Sequence, residues 1–152
     1  MSSRDRYYKM MANSVRYIFK HFLNDASISE VYETQSKVGN AVVAVEIDGT
    51  LKGEILISLP KSTLEDIAKK FAGGSRGKAL QKHVEDVSGE LTNMITGTFA
   101  NQMQFAGHDI RLSPPEFNDD PINMKALYEN VNLSFVSAFG GFDIDLYYKE
   151  KI

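Results

Sequence analysis

Glu90 and Asn93 put a carboxylate and a carboxamide three residues apart in the run Asp86-Val87-Ser88-Gly89-Glu90-Leu91-Thr92-Asn93-Met94-Ile95-Thr96-Gly97. At about 100° per residue on a helix, Asp86, Glu90, Asn93 and Gly97 share one narrow stripe. Val84, Val87, Leu91, Met94, Ile95 and Thr98 gather on another side, the one expected to enter a core. The stripe is therefore expected on the flank or outside. Gly97 is disfavoured in a helix by roughly 1 kcal/mol against Ala. Its presence calls for a reason, and close approach of a partner is one. Thr96 and Ala100 are also small, so this part of the surface is expected to lie low, with Glu90 and Asn93 protruding from it. An acid and an amide at this spacing are ordinary surface residues on most helices, so the stripe alone does not make a site.

Other chemistries find little support. Ala72-Gly73-Gly74-Ser75-Arg76-Gly77-Lys78-Ala79 looks like a phosphate-binding loop, but alanines stand at the first glycine and at the metal-binding hydroxyl, and the preceding element reads as a helix. His21, His83 and His108 are too far apart for a zinc pattern. Glu116, Asp119 and Asp120 lack the ligand spacing and central glycine of a calcium loop. There is no Gly-x-Ser-x-Gly elbow. The absence of cysteine excludes disulfides, thiolate catalysis and cysteine metal sites.

The elements that must position the stripe read as one domain of 152 residues. A net charge of −3 gives no general attraction to nucleic acid or acidic membranes. No apolar run resembles a signal peptide or spans a bilayer, so a cytoplasmic address is expected. Tyr7 to Leu23 has helical spacing at Met10, Met11, Val15, Ile18, Phe19 and Phe22, with a basic face of Arg6, Lys9, Arg16 and Lys20. Ile28 to Gln35, Ala41 to Asp48 and Gly53 to Leu59 read as strands of an antiparallel meander, with turns at Gly39-Asn40 and Asp48-Gly49. Ser62 can cap a helix from Thr63 to Phe71 that buries Leu64, Ile67, Ala68 and Phe71 and stops at Gly73-Gly74. The long helix then runs from about Ala79 to Phe105 and ends near Gly107. Asp109 to Leu112 is a candidate strand, Pro114-Pro115 a stiff break, and Asn118-Asp119-Asp120-Pro121 a loop. Asn130 to Phe139 and Phe142 to Lys149 form a hairpin around Gly140-Gly141, with Phe142, Ile144 and Leu146 on one face and Asp143 and Asp145 on the other. The order predicts an α+β fold, with helices packed on a largely antiparallel sheet, a long motif-bearing helix and a C-terminal β-hairpin.

The run from Asp86 to Gly97 resembles the signature of the CheC, CheX and FliY family of chemotaxis phosphatases: an acidic or hydroxyl residue, then Glu, then Asn three on. Leu51 to Pro60 is similar to the family's strand entering its second helix, Leu64 to Gly73 follows suitably, and the likeness covers nearly the whole chain. A single copy of the motif is CheX-like. Pro114 or Pro115 matches a family proline. The resemblance implies hydrolysis of the aspartyl phosphate on a CheY-type response-regulator receiver. It makes Asn93 and Glu90 the catalytic pair, with Asn93 positioning the attacking water and Glu90 docking on a receiver lysine. Asp86 and Gly97 would contact the partner. No cofactor is expected on this chain, and Mg2+ is expected on the receiver. A homodimer is expected, with the Asn130 to Tyr148 tail supplying a sheet edge. The same residues suit a noncatalytic module that binds a receiver or a flagellar-switch component.

Overall fold

Two β-rich stretches, far apart in the chain, meet in one antiparallel sheet. The computed structural model describes residues 2–35, 41–72, 78–117 and 128–150. In chain order these form α1 (Ser3–Phe22), β1 (Ser29–Val31), β2 (Ala41–Gly49), β3 (Leu51–Leu59), α2 (Lys61–Ala72), α3 (Lys78–Phe105), β4 (Ile110–Leu112), β5 (Glu116–Phe117), β6 (Glu129–Ser137) and β7 (Gly140–Glu150). Among the described residues the sheet order is β1-β6-β7-β3-β2-β4, with β5 also paired to β2. The α+β class, the long helix and the terminal hairpin stand as expected.

Alternation along the strands selects the core face. Val43, Ile57, Ile144 and Leu133 form one cross-strand row, and Val45, Ile55, Leu146 and Val131 the next. All are buried. Met11, Val15, Ile18 and Phe19 of α1, Leu64, Ile67 and Ala68 of α2, and Leu91, Ile95, Phe99 and Met103 of α3 share one core with the β3, β6 and β7 residues of these rows. Each larger apolar side chain contributes roughly 1.5–3 kcal/mol by leaving water. Phe142 stacks between Phe19 and Phe135, at centroid distances of 5.1 and 5.4 Å.

Several expectations need correction. The meander does not form: β2 and β3 are a hairpin, whereas β1 lies at the far edge beside β6. Periodicity marks a strand but not its neighbour. The tail is not a sheet edge, because β7 sits between β6 and β3 and β6 between β1 and β7. Its turn falls on Ala138-Phe139, with Ser137 opposite Gly140. Asp25 fixes that turn by accepting from the Ala138 amide at 2.8 Å, and the Ser137 hydroxyl accepts from the Phe139 amide at 3.1 Å. Gly140 instead opens β7 at φ +126°, where a Cβ would lie 2.4 Å from the Thr63 hydroxyl of α2. Phe22 is 54% exposed at the end of α1. α2 begins at Lys61, and the Pro60 carbonyl receives the Leu64 amide, so Ser62 lies inside the helix instead of capping it. Asp143, assigned to the outer face, is nevertheless buried, accepting from the Ser134 hydroxyl and the Gln35 amide. The Gly39-Asn40 and Gly73-Gly74 turns, the Phe71 side chain, the loop from Asn118 to Pro121, and Asp119 and Asp120 lie outside the described residues.

The α1 helix is capped at its start and tied to β1 further along. Ser2 caps it by accepting from the Asp5 amide. Further along, Tyr8 donates to Glu30 of β1 at 2.7 Å, and Arg16 pairs with the same carboxylate. Burial, the hydrogen bond and the charge of Glu30 push the Tyr8 phenol up to about 12 from 10.0. The folded chain therefore keeps the Tyr8 proton at a pH where the unfolded chain releases it. This contribution to stability is complete below pH 10 and is lost as pH rises toward about 12. Alkaline unfolding followed by circular dichroism should show that decline, and Tyr8→Phe should flatten it. An identical alkaline profile in the variant would refute the coupling.

Candidate active site

The long helix α3 reaches 28 residues because its apolar positions recur at helical spacing and its end is actively closed. The Gly107 amide donates to the Gln104 carbonyl at 3.0 Å and the His108 amide to that of Met103 at 2.9 Å, with Gly107 at φ +93°. That is a Schellman closure, which needs the left-handed residue glycine supplies. Val84, Val87, Leu91, Ile95, Phe99 and Met103 are buried along one side. Asp86, Glu90 and Asn93 are exposed on the opposite side, and Gly97 is half-buried there. The expected stripe is therefore present and faces away from the sheet.

None of the three polar side chains is tied up. Among the described residues Asp86, Glu90 and Asn93 have no hydrogen-bond or ion-pair partner. Among the described residues a Cβ built on Gly97 would meet nothing within 4 Å, so their packing does not demand glycine there. Among the described residues one on Gly89 would find only the Pro115 ring, at 3.9 Å. Of the two prolines, Pro115 is thus the one against the motif helix, one residue before Glu90.

Three positions differ from expectation. Thr96 is buried, donating to the Thr92 carbonyl at 2.8 Å, so it does not lower the outer surface; Met94 and Thr98 are half-buried, between core and stripe. Ser88, Thr92 and Thr96 form a buried hydroxyl row at i, i+4 spacing. Ser88 donates to the Glu85 carbonyl at 2.9 Å, but among the described residues the Thr92 hydroxyl has no partner. In the sequence this row shows only as three small polar residues on the apolar side.

The stripe is a convex helix face. A depression of about 480 Å³ lies on the other face of the sheet, lined by Glu46, Lys52, Glu54, Arg111, Tyr128 and Tyr147. A second, near the start of α1, is lined by Ser2, Arg4, Glu129 and Tyr148. Neither touches the stripe. Small-molecule sites are concave, so exposed polar groups on a ridge suit a macromolecular partner. Among the described residues no cluster of three or more His, Cys, Asp or Glu could hold a metal ion. No helix among them is long and apolar enough to cross a membrane.

Residues 41–126, more than half of the chain, match the family described as chemotaxis phosphatase CheX. The chain belongs to that family. Solved structures share its fold across nearly the whole length. CheX from Vibrio vulnificus is 20% identical with a TM-score of 0.77, covering 98% of this chain and 100% of its own. CheX from Desulfovibrio desulfuricans is 17% identical with a TM-score of 0.75, covering 95% and 99%. A chain of the CheX-CheY-BeF3-Mg2+ complex from Borrelia burgdorferi is 16% identical with a TM-score of 0.76, covering 95% and 98%. No curated protein matches the sequence.

The unpartnered Thr92 hydroxyl costs about 1–3 kcal/mol of desolvation. Thr92→Val replaces it with a methyl of nearly the same shape and should raise the thermal midpoint by about 2–4 °C per kcal/mol recovered. A lowered midpoint in differential scanning calorimetry would show that the hydroxyl is satisfied in solution.

Proposed function

We propose that this CheX-family chain accelerates hydrolysis of the aspartyl phosphate on a CheY-type receiver domain. The observation that carries the reading is the free Glu90 and Asn93 pair, exposed on a convex helix. In the reaction a water oxygen bonds to phosphorus as the bond from phosphorus to the aspartyl oxygen breaks. The receiver regains its carboxylate and inorganic phosphate leaves, with the water's proton passing to phosphate or solvent. Catalysis of phosphoryl transfer is largely positioning and charge stabilisation. The Asn93 amide can accept from the water and donate to the phosphoryl group without adding negative charge. Glu90 is anionic and would be repelled by the phosphoryl group, so its role is docking on a receiver lysine, which also fixes the angle of α3. Asp86 makes peripheral contacts, and the bare backbone at Gly97 lets the receiver approach. Mg2+ belongs to the receiver. We also read the chain as a homodimer; a monomer mass by light scattering at micromolar concentration would remove that claim alone.

The decisive experiment follows phosphate loss from a phosphorylated CheY-type receiver with Mg2+, comparing wild type with Asn93→Ala. Asn93→Ala should lose at least roughly tenfold in stimulated rate, equivalent to about 1.4 kcal/mol of barrier. Equal rates would sink the water-positioning role. Complex formation with no acceleration by the wild type would make the chain a binding module instead.

Gly97→Ala separates fold from function. The helix should gain up to roughly 1 kcal/mol of stability, because the added methyl meets nothing within 4 Å among the described residues. Stimulated dephosphorylation should fall as that methyl holds the receiver off. A more stable variant with undiminished activity would refute the close approach.

A further inference from the structure

We infer that α1 supplies the second half of the docking surface for the phosphorylated receiver, with Tyr17 as its aromatic anchor and Lys20 as its anion-facing cation. This rests on the phosphatase reading above.

Two fastenings set the relation of α1 to α3. The Tyr7 hydroxyl lies 3.1 Å from Nε2 of His108, just past the end of α3. Further along α1, the Gln102 amide donates to the Met10 carbonyl at 3.1 Å and to the Ser14 hydroxyl at 2.7 Å. Low numbers on α1 therefore meet high numbers on α3, and the helices run antiparallel. At the same rise per residue on both, three residues on from Ser14 brings Tyr17 level with Phe99, and seven brings His21 level with Ile95. Tyr17 and His21 follow Ser14 at i+3 and i+7, so they stay near the seam with α3. Both are exposed on its solvent side. Across the seam come half-buried Thr98 and Met94, then Glu90, Gly97 and Asn93.

The surface there is unusual for a solvated helix. Tyr17 is 50% and Phe22 54% exposed. The Tyr17 ring lies 4.5 Å from that of His21 and 6.4 Å from that of Phe22, centroid to centroid. A clustered, exposed tyrosine has the composition of an interface anchor. Lys20, Lys9 and Arg6 are exposed on the same helix, whereas Arg16 is engaged by Glu30.

Footprint and charge select the occupant. A protein partner covers about 800 Å² on each side, whereas a helix with its side chains is only about 10–12 Å across. A receiver presenting its phosphoryl group to Asn93 must therefore rest on a neighbouring element too. One flank of α3, at Gly89, meets Pro115; α1 packs against the C-terminal half of the helix, and α2 packs on α3 as well. The approaching partner is most negative where it carries the phosphoryl group, and the carboxylates of Asp86 and Glu90 do not complement that charge. The α1 cations supply the opposite field, which speeds encounter and weakens with salt.

The test measures binding to a receiver loaded with beryllofluoride and Mg2+, alongside stimulated dephosphorylation. Tyr17→Ala should weaken binding about tenfold and raise the half-saturating receiver concentration to match, whereas the loss in Asn93→Ala falls on the rate at saturation. Lys20→Glu should slow association and reduce its salt dependence. If Asn93→Ala loses turnover while Tyr17→Ala and Lys20→Glu bind like wild type, α1 is not part of the surface and the phosphatase reading stands. If Tyr17→Ala instead dissociates a dimer and leaves receiver binding intact, the patch belongs to a second copy and the inference is overturned. If the wild type neither binds nor accelerates, the phosphatase reading fails and takes this inference with it.

Discussion

Burial of one side of α3 against the sheet determines the direction of everything the helix carries. Val84, Val87, Leu91, Ile95, Phe99 and Met103 recur so that each turn adds one or two apolar side chains to the same core. Because a helix is rigid, committing that side to the sheet commits the opposite side to solvent. Asp86, Glu90 and Asn93 are exposed for this reason and need no interactions of their own to hold them out. The hydrogen bonds from Gln102 to Met10 and Ser14 then fix where α1 lies beside the C-terminal half of α3. The sheet also sets the level of α2, through the approach of Thr63 to the two glycines that begin β7.

A ridge and a cleft favour different chemistry. A cleft surrounds its ligand and supplies most of the polar groups itself, whereas a ridge can add only one or two groups to a site that another molecule has largely built. Under the proposed function Glu90 and Asn93 divide the labour in that way: the first has a charge that could serve attachment, and the second has none and can approach an anion. The family match places the chain in the family described as chemotaxis phosphatase CheX. The chemistry assigned to Asn93 rests on the properties of the amide and the openness of its surroundings.

The helix stripe was legible in the sequence because helical geometry converts spacing directly into direction, and 86, 90, 93 and 97 needed no knowledge of the rest of the fold. Element types along the chain were legible for the same reason. What spacing could not supply was partnership. Nothing local to Ser29–Val31 says that it pairs with β6 instead of β2. Nothing local to Gly140-Gly141 says that those glycines answer to a threonine on α2 while Asp25 holds the turn two residues earlier. Thr96 looked like a small surface residue because its identity is ambiguous; its burial depends on which way the apolar side of α3 widens. Tyr17 and Phe22 are apolar residues whose exposure depends on where α1 ends relative to the sheet.

Glu90 stands twelve residues from Lys78 at the start of α3, and Asn93 twelve residues from Phe105 at its finish. The partial charges of a helix are felt only within its first and last turns, so the midpoint of α3 is electrically neutral ground. Many anion sites borrow the positive end of a helix and are bound to its sign and orientation. Here the backbone contributes no sign, and the local field is the sum of side chains alone. A paralogue facing a differently charged partner could be retuned by single substitutions along the stripe, leaving the helix, its closure and its core unchanged.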